Sequence, residues 1–228
     1  MPADFEHKLN ELRELGIEYI EFTGQNHIND IAVLGKGCVG IVLLAYTKGK
    51  KVALKLRRTD APRSGMNHEA LILEKANAVE VGPRLLGVTP NCLLMEYIDG
   101  LLLPQWLKTS NRMNDGTRVR TVLRSILEQA FRLDNAGLDH GELSYGPKHI
   151  IIRPNDGAVI LDFESGSLSR RVSNVTSVSQ FLFIGSSIGK VVSKILDNLN
   201  QDIVDVLRVY KRHRTKKNFD SILESCSL

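Results

Sequence analysis

Three glycines followed by a lysine give the first indication of chemistry in this chain. Gly35, Gly37 and Gly40 lie in residues 34–42, and Lys55 ends the run Val-Ala-Leu-Lys. Glycines leave backbone N–H groups unshielded, so such a loop can close on the phosphate oxygens of a nucleotide while the lysine supplies a cation beside them. Three glycines alone are more often a flexible turn, so other residues of such a site must be sought elsewhere in the chain.

The segment after the glycines indicates which kind of glycine motif this is. A dinucleotide-binding turn requires a helix directly after its glycines. Here residues 41–45 read as a strand, and residues 52–56 read as a second, buried strand beyond a turn at residues 48–50. The order of strand, glycine loop and strand is the version of the motif that protein kinases use.

An acidic residue lies at the head of the next helical segment. Residues 67–79 have helical spacing, and Glu69 lies on their apolar stripe. A carboxylate on an apolar stripe is unfavourable unless it is paired, although at a helix N-terminus the dipole favours it and water can solvate it. We expect Glu69 to pair with Lys55, because a lysine on a buried strand needs a counter-charge.

Two more carboxylates follow a long amphipathic helix at residues 119–133. Residues 139–149 contain Glu142, and a short hairpin with a turn at residues 154–157 leads on to Asp162. This order supplies one carboxylate near an acceptor hydroxyl and a second for a metal ion, as phosphoryl transfer requires.

Taken in order, these motifs resemble those of the protein kinase superfamily, specifically its small atypical branch. The chain is similar to the RIO kinases, to the kinase of the KEOPS complex and to archaeal proteins predicted to be Ser/Thr kinases, over about residues 34–167. His-Gly-Glu-Leu-Ser at residues 140–144 resembles the His-Gly/Ala-Asp-Leu-Ser loop of that branch, and Asp162-Phe163 resembles the metal-binding Asp-Phe-Gly. The resemblance implies an α+β, two-lobed protein kinase-like fold with an antiparallel-sheet N-lobe and a mostly helical, truncated C-lobe.

The resemblance also implies roles for four side chains. Lys55 would clamp the phosphates of ATP, and Glu69 would orient Lys55. Asp162 would hold Mg²⁺ or Mn²⁺, and Glu142 would accept the proton of the acceptor hydroxyl. The implied activity is that of a serine/threonine protein kinase that phosphorylates itself or a specific partner.

An adenine pocket is implied at residues 92–100, which resemble an edge strand and a hinge. Met95 would be the gatekeeper beside the adenine, and the Glu96 carbonyl and the Ile98 N–H would face the adenine edge. The full nucleotide-binding set that the resemblance implies is Gly35, Gly37, Gly40, Val42, Ala53, Lys55, Met95, Glu96, Ile98 and Ile151.

Three positions depart from the family pattern. Glu142 replaces the usual Asp and is one methylene longer, but it is still a carboxylate able to accept a proton. The usual metal-binding Asn is missing, and allowing a two-residue insertion brings His149 into its place. His149 would then be a metal ligand, a hydrogen-bonding residue beside the phosphates or an ordinary packed histidine. Neutral histidine suits Mn²⁺ better than Mg²⁺. Glu164 replaces the last Gly of Asp-Phe-Gly and either adds a carboxylate near the metal or points to solvent.

The segment after Asp162 is short and lacks Ala-Pro-Glu, and a new apolar run begins at residues 175–184. This argues against a broad peptide groove and favours autophosphorylation, a specific partner or ATPase-like use. Glu142 and the missing Asn favour a second hypothesis, an ATP-binding pseudokinase or slow ATPase that acts as a regulatory module. A small-molecule kinase is a third hypothesis, since that class also lacks Ala-Pro-Glu.

Composition bounds the number of domains and the cellular compartment. The 228 residues, 43% of them hydrophobic, suffice for two small lobes. We expect an N-lobe at residues 31–98 and a C-lobe at residues 99–228. Residues 1–30 should form a helical extension that packs on the N-lobe, the smaller of the two. Three cysteines without ligand spacing are typical of a reducing cytosol. The longest apolar stretch, residues 181–192, is interrupted by Gly, Ser and Lys, so we expect no membrane partner and a cytoplasmic location.

The net charge of +4 is distributed unevenly, because basic residues are densest at residues 211–217. That run contains Lys211, Arg212, Arg214, Lys216 and Lys217. A solvated helix end explains such a run more often than not. The functional interpretation is contact with RNA, a ribonucleoprotein or an acidic partner.

Overall fold

The computed structural model describes residues 3–59, 61, 66–113, 115–196 and 202–228. The chain divides into two units: unit 1 comprises Met1–Asn77 and Pro83–Ile98, and unit 2 comprises Ala78–Gly82 and Asp99–Leu228. Each unit combines helices with antiparallel strands, so the α+β class expected from the sequence is confirmed.

Unit 1 is built around an antiparallel sheet. Its helices are α1 (Ala3–Glu14) and α2 (Asn67–Asn77), and its strands are β1 (Tyr19–Glu21), β2 (Asn26–Ile28), β3 (Ile31–Val33), β4 (Gly35–Lys36), β5 (Gly40–Thr47), β6 (Lys50–Arg57), β7 (Leu85–Val88) and β8 (Cys92–Glu96). The main sheet has the order β1-β5-β6-β8-β7, with β4 also pairing with β5, while β2 and β3 form a separate ribbon.

The hairpin of β5 and β6 is closed by Lys48 and Gly49, both with a left-handed backbone (φ +49° and +69°). Two successive left-handed residues match the twist of the flanking strands, which explains the Lys-Gly turn. The sequence placed this turn at residues 48–50, and the structure begins β6 at Lys50.

Alternation along β6 sends neighbouring side chains to opposite faces of the sheet. Val52 and Leu54 join a buried apolar cluster against which Leu12 and Leu15 pack from the α1 side. Lys55 therefore belongs to the other face. A second set of buried side chains, Val39, Met66, Ala70 and Leu93, packs together around α2.

Helix α1 is attached to the turn between β7 and β8 by one carboxylate. Glu11 Oε2 accepts hydrogen bonds from Thr89 Oγ1 at 2.5 Å and from the Asn91 backbone N–H at 2.8 Å, and its Oε1 accepts from Asn91 Nδ2 at 2.6 Å. These bonds add a polar anchor to the apolar packing of the helix on the sheet.

Unit 2 is mostly helical. Its strands are β9 (Leu101–Leu102), β10 (Ile150–Ile152) and β11 (Ala158–Ile160), in the antiparallel order β11-β10-β9. Its helices are α3 (Leu103–Met113), α4 (Gly116–Asn135), a 3-10 helix (Leu143–His149), α5 (Asn174–Phe183), α6 (Ser187–Leu196), α7 (Ile203–Arg212) and α8 (Lys216–Ser225).

The core of unit 2 surrounds α4, whose apolar stripe from Val119 to Leu133 is fully buried. At the end of α4, the buried Asp134 accepts hydrogen bonds from the backbone N–H and Nδ2 of Asn174, both at 2.9 Å, and from Tyr210 Oη at 2.9 Å. This carboxylate thereby fixes the start of α5 and the side of α7 to α4.

Among the described residues, no single helix is both long enough and apolar enough to cross a membrane. Helices α5 and α6 meet the length and composition criteria only as a pair, and the pair is bent by 73° at its break.

Candidate functional site

The glycine loop of unit 1 lies directly beside Lys55. The Gly37 N–H donates to the Gly40 carbonyl at 2.9 Å and closes the turn, and Gly35 pairs with Val42. A Cβ added at Gly40 would lie 2.8 Å from Lys55 Cγ and 3.1 Å from the Leu56 carbonyl oxygen. Gly40 is therefore needed to make room for the lysine, in addition to any role in binding phosphate.

Lys55 and Glu69 form a buried ion pair with an Nζ–Oε2 distance of 2.7 Å. Only 4% of Lys55 and 5% of Glu69 are exposed. The pairing expected from the sequence is present because β6 alternation directs Lys55 to the α2 face and Glu69 occupies the first turn of α2. Removing two charges from water is costly, so a buried ion pair adds little to the stability of the fold. Its presence is therefore better explained by a function of the lysine.

The other residues of the expected nucleotide set in unit 1 lie along the same sheet. Register pairs Val42 with Lys55 and Ala53 with Met95, which puts these four side chains on one face. Val42, Ala53 and Met95 are half-buried. They offer an apolar surface of the kind that binds a planar base.

Beyond β8, the predicted hinge residues have ordinary structural partners. The Glu96 N–H donates to the Arg84 carbonyl at 2.9 Å, and the Glu96 carboxylate accepts from the Arg84 N–H at 3.3 Å. Ile98 is buried. The backbone contacts to adenine that the resemblance implies at these two residues stay predictions.

Unit 2 brings Glu142, His149 and Asp162 together. His149 Nε2 lies 3.3 Å from Glu142 Oε2, and His149 Nδ1 lies 3.4 Å from Asp162 Oδ2. The imidazole is 5% exposed, and its Nε2 makes no aligned hydrogen bond. Burial lowers the pKa of His149 below its ordinary value, which favours the neutral ring.

Asp162 has a left-handed backbone, with φ of +68°. Asp tolerates this region better than most side chains, but it is still uncommon and is often found at functional sites. Asp162 directly follows Leu161, whose N–H donates to the His149 carbonyl at 2.8 Å. The backbone thus holds Asp162 and His149 in a fixed relation.

The donor set fits a divalent cation. One ligand atom from each of Glu142, His149 and Asp162 lies within 4.8 Å of the other two, and the buried Nε2 of His149 has no aligned hydrogen-bond partner. Two carboxylates with one imidazole suit Mn²⁺ better than Mg²⁺. Among the described residues, Glu164 is not part of this possible metal site. Ile151, which the resemblance assigns to nucleotide binding, lies in β10 and pairs with Leu102 and Val159.

His140 links the two acidic segments, and sequence reasoning gave it no role of its own. It is fully buried; its Nε2 lies 2.9 Å from the Leu161 carbonyl oxygen, and its Nδ1 accepts the Glu142 N–H at 3.4 Å. One neutral tautomer satisfies both contacts, and burial lowers the pKa of His140 to about 4. The sequence signal was the His of the motif at residues 140–144.

The His140→Phe substitution should keep a ring beside Phe163, whose centroid lies 4.9 Å from that of His140, while removing both hydrogen bonds. Leaving the part-buried Leu161 carbonyl without this donor should lower the free energy of unfolding by about 1 kcal/mol. Urea unfolding measures the change. His213→Phe, at an exposed position after α7, is the matched control and should change stability little.

Ser165 is a second residue that the sequence did not indicate. Its Oγ donates to Glu142 Oε1 at 2.5 Å. The two residues are separated by 23 positions, and the segment Ser-Gly-Ser that contains Ser165 has no periodic or motif signal.

An arginine holds the Ser165 segment in place. Arg170 donates from Nε to Asp139 Oδ2 at 2.5 Å and from Nη2 to the Ser165 carbonyl at 2.9 Å. Gly141 has φ of +89°, and a Cβ there would overlap the Arg170 guanidinium and lie 2.7 Å from the Ser165 carbonyl oxygen. The absence of a side chain at Gly141 thus permits the close approach.

The basic residues 211–217 are all exposed and span the end of α7, a short turn and the start of α8. The Arg171 guanidinium donates to the Lys211 carbonyl at 2.8 Å. Lys216 and Lys217 occupy the first turn of α8, where the helix dipole disfavours cations.

Comparison with known proteins gives a relationship but no activity. No protein-family model matches the chain. The chain is similar to the uncharacterized protein MJ1211 of Methanocaldococcus jannaschii, with 30% identity over 112 residues, which make up 49% of this chain and 89% of the archaeal protein. The chain therefore belongs to the same family as this archaeal protein.

Proposed function

We propose that this protein is an ATP- and divalent-metal-dependent phosphotransferase, an atypical serine/threonine protein kinase of the small branch that its motifs resemble. The observation that carries the proposal is the buried ion pair of Lys55 and Glu69 beside Gly40. A lysine held at 2.7 Å by a buried carboxylate, with a glycine turn next to it, is suited to binding phosphate oxygens.

In this proposal, unit 1 binds the nucleotide. Lys55 neutralises phosphate charge, and Glu69 keeps the ammonium in one position so that little reorganisation is needed during transfer. Val42, Ala53 and Met95 form the apolar face for the adenine.

Unit 2 supplies the carboxylates. Asp162 and His149 are the proposed metal ligands, together with Glu142 Oε2. A bound Mg²⁺ or Mn²⁺ would neutralise the charge of the phosphates. Glu142 Oε1, which already accepts a hydroxyl hydrogen bond, is the proposed proton acceptor.

A second candidate function is an ATP-binding regulatory module or slow ATPase. It is favoured by the Ser165 hydroxyl at Glu142 Oε1, because an external acceptor must compete with Ser165 for the carboxylate. The two functions differ in their products: the module releases ADP and free phosphate slowly, whereas the kinase also yields a phosphoprotein.

Nucleotide binding gives the first test. ATP with Mg²⁺ or Mn²⁺ should raise the melting temperature, because a ligand that binds only the folded state stabilises it by about 2.7 kcal/mol at about a hundred times Kd. The Asp162→Ala substitution should remove the dependence on metal while leaving part of the shift. Differential scanning fluorimetry with ATP alone, metal alone and both measures these contributions.

Asp205→Ala is the matched control for this test, since Asp205 is an exposed carboxylate on α7 that pairs with Arg208 at 2.7 Å. It should behave as the wild type. The absence of any shift at millimolar ATP with either metal would contradict both candidate functions.

We propose RNA or a ribonucleoprotein as a binding partner and the cytoplasm as the location of the protein. The exposed basic run at residues 211–217 is the proposed contact for RNA or a ribonucleoprotein, because its cations can pair with phosphates. Cys38, Cys92 and Cys226 are free thiols, which agrees with the reducing cytoplasm that we propose.

A further inference from the structure

We propose that Ser165 is a phosphoryl acceptor, so that the protein transfers the terminal phosphoryl group of ATP to its own Ser165 hydroxyl. This inference rests on the proposed phosphotransferase function. It adds the acceptor atom and makes the transfer intramolecular.

Ser165 and Glu142 pair a nucleophile with a base. Ser165 Oγ lies 2.5 Å from Glu142 Oε1 and donates its hydrogen to that oxygen. A hydroxyl within hydrogen-bonding distance of a carboxylate is the arrangement that activates a serine for attack. Ser165 is half-buried.

The two carboxylate oxygens of Glu142 have different neighbours. While Oε1 accepts the Ser165 hydroxyl, Oε2 lies 3.3 Å from His149 Nε2, within the group of atoms that can hold a cation. One side chain therefore places the serine hydroxyl beside the proposed metal position. Phosphate oxygens held at that metal would lie near the nucleophile.

Ser165 is held in position by hydrogen bonds of its own backbone and of the next residue. Its carbonyl accepts from Arg170 Nη2 at 2.9 Å, and Arg170 is bonded in turn to the buried Asp139. On the following residue, the Gly166 N–H donates to the Phe163 carbonyl at 3.0 Å. Fixing an acceptor in one geometry removes entropy that would otherwise oppose the reaction.

The chemical step is balanced with ATP as the donor. A lone pair of Ser165 Oγ forms a bond to the terminal phosphorus, and the bond from that phosphorus to the bridging oxygen breaks with its electron pair retained by ADP. The hydroxyl proton passes to Glu142 Oε1 and then to solvent. The products are ADP and phosphoserine at position 165.

The product has a cation beside it. A phosphoserine adds roughly −1.5 to −2 charge near Glu142 and Asp162, which is unfavourable in itself. The Arg170 guanidinium, already bonded to the Ser165 carbonyl, can offer charge-assisted hydrogen bonds to the phosphate. We therefore expect Arg170 to stabilise the phosphoserine in place.

Mass spectrometry of the full-length chain tests the inference. After incubation with ATP and Mn²⁺ or Mg²⁺, the intact protein should gain one phosphoryl group, and peptide mapping should locate it on Ser165. Because the transfer is intramolecular, the first-order rate constant should be the same over a wide range of protein concentrations.

Variants make the assignment specific. Ser165→Ala should lose the modification but keep the ATP–metal thermal shift, and Ser165→Thr should retain the modification because it retains the hydroxyl. Ser169→Ala, an exposed serine in the same segment, is the matched control and should be modified like the wild type. The thermal shift also verifies that each variant is folded.

The outcomes separate this inference from the function on which it rests. A thermal shift with ADP formation but no phosphate on Ser165, full labelling of Ser165→Ala, or a rate constant that rises with protein concentration would overturn the inference alone. No thermal shift with either metal would overturn both.

Discussion

Lys55→Met is expected to reduce ADP formation roughly a hundredfold or more, and Glu69→Ala should do so to a similar extent. The double variant should be hardly slower than either single variant, because residues that act as one unit give strongly non-additive losses. The structural reason is the 2.7 Å bond through which the carboxylate positions the ammonium. Steady-state ADP release with each variant measures the effect.

Loss of stability must be separated from loss of catalysis in this experiment. Lys55 and Glu69 are both almost completely buried, and removing one member of a buried pair typically costs about 3 to 5 kcal/mol. Thermal unfolding of each variant identifies a temperature at which it is still folded. Glu128→Ala breaks the exposed pair between Arg124 and Glu128 on α4 and is the control, with no expected change in either measurement.

Additive losses in the double variant would show that Lys55 and Glu69 act independently. Lys55→Arg refines the result, since a planar guanidinium keeps the charge but not the point-like ammonium. If charge alone mattered, Lys55→Arg would retain activity, whereas a positioning role requires the lysine.

The pair at Lys55 could be predicted because each partner has a local signal. Strand alternation directs Lys55 away from the Leu54 face, and the first turn of an apolar helix directs Glu69 toward the same sheet. The sequence also indicated the α+β class, since the strand hairpins and the long α4 helix have strong periodicity. Whether the fold is that of a protein kinase stays a prediction.

The residue type of Gly40 predicts only part of its role. From the sequence, its lack of a side chain was assigned to phosphate binding. The structure adds that a Cβ would meet the Lys55 side chain across the β5–β6 ladder. Cross-strand register decides this contact, and register is only weakly encoded in the glycine spacing.

The Ser165–Glu142 bond could not have been predicted. It depends on the hydrogen bond from Arg170 to Asp139, which are 31 positions apart, and on the close approach that Gly141 permits. No periodic pattern in the sequence predicts either contact. For His149, by contrast, the sequence does give a prediction. The sequence brought it to the metal position only by assuming an insertion, whereas the structure has it between the carboxylates of Glu142 and Asp162.

Glu142→Gln is expected to lower phosphoryl transfer by roughly ten- to a thousandfold while leaving folding and ATP binding intact. The glutamine amide oxygen can still accept the hydrogen bond that Ser165 now donates to Oε1, so the geometry should persist. Only the ability to take up the proton is removed. Since positioning and electrostatics carry most of phosphoryl transfer, the loss should not be complete.

A metal titration separates the two roles available to Glu142. If the carboxylate acts only as the base, the metal concentration that gives half of the ATP thermal shift should be unchanged in Glu142→Gln. If Oε2 also binds the metal, as its place beside His149 suggests, that concentration should rise. Glu128→Gln, an exposed substitution of the same kind on α4, is the control.

The Glu142→Asp substitution keeps the base and shortens its reach. Retracting the carboxylate by one methylene should lengthen the 2.5 Å contact with Ser165 Oγ, so labelling of Ser165 should fall while ATP binding is retained. Transfer to an added acceptor should persist, since aspartate is the usual residue of the kinase loop that residues 140–144 resemble. Wild-type rates in Glu142→Gln with ATP binding intact would instead remove Glu142 from the mechanism, and the regulatory ATP-binding module would become the better explanation of the site.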